Sequence, residues 1–228
     1  MSNKAASKPT ARIVIISGPS GCGKTTLHKA LLASPAVKGK LVKSISATTR
    51  KKRPGEKEGQ DYLFISIEKF EERIKKNYFL EWERVFENYY GTPKTQAMNL
   101  LKKGINVLLC IDVKGAKTVA KEFPQALKIF IKAPSLKVLE NRLKARASET
   151  TESLGLRLKI ARKELKEAKY YDHVIINADL NKALSELQQI VCQELKISWF
   201  FINNKPVPGT IYFDIFLYIW YKVGFLAR

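Results

Sequence analysis

One stretch constrains this chain more than any other. The β-branched run Ile13 to Ile16 leads directly into Gly18-Pro19-Ser20-Gly21-Cys22-Gly23-Lys24-Thr25-Thr26, which fits G-x-x-x-x-G-K-[ST]. Glycines at this spacing let the backbone curl into a nest whose N–H groups converge on phosphate oxygens. A helix starting near Lys24 adds the positive end of its dipole. Lys24 is placed to reach the β- and γ-phosphates, and the Thr25 hydroxyl to ligate Mg²⁺. Cys22 contributes backbone only, and the motif requires nothing of its side chain. A loop of this kind between a buried strand and a helix predicts a site for a nucleoside triphosphate, without saying which reaction follows.

The strand–loop–helix unit also sets the fold. Val107 to Ile111, Leu127 to Ile131 and Val174 to Ile176 resemble the first run: short, apolar and suited to strands buried on both faces. Segments with helical spacing lie between them, such as Leu136, Leu139, Leu143 and Leu184, Leu187, Val191, Leu195. The alternation predicts an α/β fold, a parallel sheet with helices on both faces. Two stretches interrupt it. Residues from about 44 to 92 carry Pro54, Gly55 and Gly59 with aromatics at strand-like spacing, and read as an inserted small α+β lobe. Residues from about 142 to 171 are charged and helical, and read as an arginine-bearing lid. Residues 1–10 read as a flexible lead and 11–196 as the catalytic domain. Residues 197–228 form an aromatic tail whose apolar stretch, Ile211 to Tyr221 with Asp214 inside it, falls well short of the ~20 residues that span a bilayer.

Composition narrows the class. Of 228 residues, 45% are apolar and 27% charged, as in ordinary globular proteins, but the formal charge is +20. Such a surplus points to an anionic partner, or to a lysine-rich solvated face. Cys22, Cys110 and Cys192 are widely spaced and follow neither a metal-binding nor a disulfide pattern. With the polar start MSNKAASKPTAR, they place the protein in the cytoplasm.

A second segment selects the chemistry. In Ser46 to Phe64, Arg50, Arg53 and Tyr62 stand near a turn, and two guanidinium groups with a phenol hydroxyl make a site for a phosphate monoester. Further along come Glu81 and the run Tyr89-Tyr90-Gly91-Thr92. A carboxylate accepts from guanine N1–H and its 2-amino group, while a hydroxyl donates to O6. Adenine would leave that buried carboxylate facing an acceptor.

Through the phosphate loop, the S-x-x-T-R-x-x-R-x-G-E-x-x-G-x-D-Y-x-F segment and the E-W…N-Y-Y-G-[ST] segment, the chain resembles guanylate kinases from Ala11 to about Lys196. The resemblance implies that Ser46, Glu81 and Thr92 hold the guanine. It implies that Arg50, Arg53, Tyr62 and Tyr90 hold the GMP phosphate, with Glu56 orienting the arginines. Asp112, at the end of the Val107–Ile111 strand, is implied to lie near the metal, through water, and near the reacting phosphates; it can also cap the following helix. Arg142, Arg146 and Arg157 are implied to neutralise the transferring phosphoryl, and Asn177 to meet the edge of adenine. Three positions depart from the family pattern: Cys110, usually acidic; Lys114, often glutamine; and Ala147, usually glycine.

The expected reaction is direct in-line transfer from ATP to GMP, with dGMP as a further acceptor, Mg²⁺ as cofactor and no nucleic-acid partner. Two other readings are a catalytically inactive binding module and a nucleic-acid-binding ATPase. The complete phosphate loop argues against the first, and the core-like spacing of the aromatics before residue 197 against the second.

Overall fold

A computed structural model describes residues 11–145 and 151–197, with side chains for all but 151–153. The lead, Arg146, Ala147 and the tail from residue 198 onward lie outside the described residues. The chain alternates strand and helix as the apolar runs require. In order come β1 (Ile13–Ser17), α1 (Lys24–Ala33), β2 (Leu41–Lys43), β3 (Ala47–Thr48), β4 (Leu63–Phe64), α2 (Ile67–Lys75), β5 (Phe79–Val85) and β6 (Asn88–Pro93). Then follow α3 (Lys94–Lys102), β7 (Asn106–Cys110), α4 (Val113–Glu122), β8 (Leu127–Lys132), α5 (Leu136–Lys144), α6 (Thr151–Lys166), a 3₁₀ turn (Glu167–Tyr170), β9 (His173–Ile176) and α7 (Leu180–Glu194).

The main sheet is parallel, in the order β2-β7-β1-β8-β9, so β1 and its loop sit at the centre. Successive side chains of a strand face opposite ways, and β1 shows the result. Val14 and Ile16 enter the larger core with Leu27, Leu31, Ile129, Leu139 and Leu187, whereas Ile13 and Ile15 join Val107, Leu109, Ala116 and Val119 on the other face. Helix starts follow their caps: Ser66, Asp112, Ser135 and Asp179 each accept a backbone N–H three residues on. The start of α1 is different, with Gly23 at φ 93° and no side-chain cap.

Two strand readings change. The sheet gains β2, whose two apolar residues, Leu41 and Val42, are too few to show a run. And β9 is not buried on both faces: as the edge strand it leaves Val174 37% and Ile176 50% exposed around a fully buried Ile175. The insertion forms its own four-stranded sheet, β4-β3-β6-β5, over a small core in which Phe70 stacks between Phe79 and Tyr89 at centroid distances of 4.4 and 5.1 Å. Tyr89 is thus a packing residue. At the C-terminal side, Ile197 is 9% exposed within the main core and its N–H bonds to Cys192 O, so the packed fold reaches one residue past Lys196.

Candidate active site

The carboxyl ends of β1 and β7, the inserted sheet and α6 enclose one cleft of about 320 Å³. Its floor is the phosphate loop, with Gly18, Ser20, Gly21, Gly23, Lys24, Thr25 and Thr26 on the lining. Lys24 Nζ donates to Gly18 O at 2.5 Å and Pro19 O at 3.0 Å, folding the side chain back over the loop. Pro19 and Cys22 are buried behind this surface. The loop is braced from β9: the buried Asn177 amide donates to Cys22 O at 2.9 Å, Asn177 N–H bonds to Lys132 O, and Asn177 O accepts from Arg142 at 3.0 Å. Only glycine fits at position 23, because a Cβ there would collide with the Asn177 amide. Arg142 and Asn177 therefore meet each other, behind the loop and away from the cleft lining.

The wall opposite carries the phosphate-monoester group. Arg50, Arg53, Tyr62 and Tyr90 all line it, with the two tyrosine rings 6.1 Å apart, edge to face. Glu56 lies behind. It takes Arg50 Nη2 on both oxygens, at 2.7 and 3.0 Å, and the Arg53 N–H at 2.8 Å. Burial alone would lift the Glu56 carboxyl, but these donors outweigh it and hold it below its ordinary value. The Arg50 guanidinium also lies 5.6 Å from the Tyr62 ring centroid. Lys43 adds a tie from the main sheet, donating to Asp61 O at 2.8 Å beneath Tyr62.

Ser46, Glu81 and Gly91 lie between these walls. Glu81 is 5% exposed, and burial pushes its carboxyl up to about 7; the Thr92 hydroxyl, donating at 2.5 Å, opposes the rise and the nearby Asp112 adds to it. Thr92 itself is fully buried and does not line the cleft, so it meets Glu81 from behind. Gly115 packs against the same carboxylate, and a Cβ there would strike Glu81 Oε2. Asp112 lines the cleft, and its Oδ1 accepts from Gly115 N at 2.8 Å as the cap of α4. Cys110 lines the cleft between Lys24 and Lys43, its thiol pushed up by burial against the pull of both ammonium groups.

A single face of α6 closes the site. Arg157, Ile160 and Glu164, at i, i+3 and i+7, line the cleft. Burial pushes Glu164 up to about 7, opposed by Lys24 and aided by Asp112. The sequence reading named Arg157 and missed the other two, although helical spacing from Arg157 points to both. It also missed Glu83, Val85, Phe86 and Asn88, the β5–β6 hairpin side of the cleft. Arg146 lies outside the described residues.

A phosphate loop, a two-arginine wall and a buried carboxylate thus share one cleft. The guanylate kinase family profile matches residues 10–194. The chain belongs to the guanylate kinase family. Among curated guanylate kinases it is 44% identical to that of Rickettsia bellii over 184 residues, 81% of this chain and 95% of the relative. It is 46% identical to that of Maricaulis maris, covering 80% and 83%. The crystal structure of guanylate kinase from Anaplasma phagocytophilum superposes with a TM-score of 0.66 at 31% identity, over 84% of this chain and 89% of that one.

Proposed function

We propose that this guanylate kinase family member transfers the γ-phosphoryl group of ATP to GMP, releasing ADP and GDP. The observation that carries the reading is Glu81, a buried carboxylate set between a phosphate loop and a pair of arginines in one cleft. Charge is laid out to match two anionic substrates. The loop N–H groups, Lys24 and the start of α1 take the triphosphate. Arg50, Arg53, Tyr62 and Tyr90 take the monophosphate, and Ser46 and Glu81 the base, with Thr92 fixing Glu81. Asn177 and Arg142 act through the loop that they brace, and Arg157 faces the phosphoryl group in transit. Transfer is in line and direct, because alignment and positive charge supply most of the catalysis that a loose phosphoryl transition state needs.

Mg²⁺ fits the donors present. Among the described residues no cluster of three His, Cys, Asp or Glu could hold a metal alone. Mg²⁺ beside phosphates needs only one or two protein oxygens, and the Thr25 hydroxyl and Asp112 line this cleft. When bound, the ion neutralises charge on the β- and γ-phosphates. The proposed place of action is the cytoplasm; no helix among the described residues is long and apolar enough to cross a membrane.

A panel of nucleoside monophosphates with ATP and Mg²⁺ tests the proposal. GMP should be strongly preferred, dGMP used more weakly, and AMP, CMP and UMP scarcely at all. Comparable rates with AMP would overturn the assignment of Glu81. The Lys24→Ala variant should lose nearly all turnover while calorimetry still shows GMP binding.

A further inference from the structure

Phe86 is unusual in three independent ways. It is the first of the two residues joining β5 to β6, where Val85 pairs with Asn88, and its φ of 56° lies in the left-handed region that favours glycine. Bulky side chains persist there only when their surroundings hold them, and such outliers gather at functional sites. The residue is 36% exposed and lines the cleft. And the Arg157 guanidinium carbon lies over the Phe86 ring, 5.0 Å from the centroid. Val85 and Phe86 line the cleft from the inserted lobe, and Arg157 and Ile160 from α6. The hairpin tip and the arm therefore meet at the arginine that faces the reacting phosphates.

A guanidinium over an aromatic face is attracted by the ring's quadrupole. Arginine has a long, rotamer-rich stem. Restraining it before the substrates arrive removes an ordering cost that would otherwise reduce the stabilisation of the transition state.

We propose that Phe86 is a positioning residue for phosphoryl transfer: its ring holds the Arg157 guanidinium at the cleft and so links the GMP lobe to the charge presented to the ATP phosphates. The proposal rests on the reading of Arg157 given above. It also explains the turn. Glycine would relieve the backbone but offers no ring, so the strained residue is kept for the contact that it makes.

The test uses the full chain and the variants Phe86→Tyr, Phe86→Leu, Phe86→Gly and Arg157→Ala. Steady-state kinetics, melting temperature, and GMP calorimetry with and without a non-hydrolysable ATP analogue are measured on each. Leucine keeps the apolar bulk without the ring, so Phe86→Leu should lower kcat about tenfold, the size of a partly desolvated cation–π contact, with KM for ATP nearly unchanged. Phe86→Tyr should restore at least half of kcat. Phe86→Gly should lower kcat as leucine does while raising the melting temperature by about 2–4 °C, because the turn relaxes. The analogue should tighten GMP binding to the wild type and tighten it less in Phe86→Leu. Wild-type kcat and coupling in Phe86→Leu, or a Phe86→Tyr variant as slow as leucine with an unchanged melting temperature, would overturn the proposal. A drop in Arg157→Ala alone would sink only the link to Phe86. An unchanged kcat in Arg157→Ala would sink the role of Arg157 and the link together.

Discussion

Glu81 shows what one residue can carry. Burial and the nearby Asp112 lift its carboxyl to about 7, against the Thr92 hydroxyl. In the proposed reading the carboxylate form accepts from guanine, so below pH 7 Glu81 would have to lose a proton before GMP binds. GMP affinity should fall by about tenfold for each pH unit below 7, and calorimetry across pH 5.5 to 8.5 would show it. Stability has its own sign. The folded chain holds this proton more tightly than the unfolded chain, so the contribution of Glu81 is greatest below the unfolded value and is lost as pH rises towards 7. Glu81→Gln keeps the acceptor for Thr92 and removes the charge. The variant should melt alongside the wild type at pH 5 and above it at pH 8. Its efficiency with GMP should fall on the order of ten- to a hundredfold, and the gap between GMP and AMP should narrow. An unchanged GMP-to-AMP ratio would show that Glu81 does not read the base. Residue chemistry singled out Glu81, Arg50 and Lys24 in the sequence, and all three line the cleft. Phe86 was not legible, since its role depends on a backbone angle and a neighbour 71 positions away.

At the scale of elements, strands of the main sheet with three or more consecutive apolar residues were visible as runs, and β2, with two, was not. The turn from β9 into α7 shows the same limit for function. Asn177 reads in sequence as a contact for adenine; the structure adds that its amide donates to Cys22 O and its backbone carbonyl accepts from Arg142, which no sequence pattern shows. A strand on the sheet edge thus fixes the shape of a loop at the sheet centre. Asn177→Ala leaves the buried Cys22 carbonyl without its donor, a loss of about 1–3 kcal/mol. KM for ATP should rise about tenfold while GMP affinity measured without ATP stays the same. Equal loss of both affinities would mean that the variant disturbs the whole fold instead. Arg142 belongs to this brace as well, and its pairing with a residue in another element is invisible to any local pattern.

For the whole molecule, the charge of +20 resolves into two populations. Lys24, Arg50, Arg53 and Arg157 face the cleft, whereas Lys159, Arg162, Lys163, Lys166 and Lys169 are exposed on the arm. Part of the surplus is therefore a solvated face, and part lines the cleft. The boundary of the fold gives a further test. A chain ending at Ile197 should keep full activity and melting temperature. Ending it at Lys196 removes a buried isoleucine and should cost about 1–3 kcal/mol, read as a lower melting temperature. Large loss of activity in the longer truncation product would mean that residues beyond 197 support the site.

The central position of β1 also dictates an order of events. Its neighbours in the sheet are β7 and β8, so a strand ending at Ser17 finds its partners only at residues 106–110 and 127–132. The inserted lobe, by contrast, closes its sheet among residues 47–93. Contacts so distant in sequence form slowly. In a chain emerging from the ribosome, all four strands of the inserted sheet are out before β7 and β8. The nest for ATP, although encoded almost at the beginning, has no walls until residue 132 is out and no brace until residue 177 follows. The earliest motif in the sequence thus waits for neighbours made more than a hundred residues later.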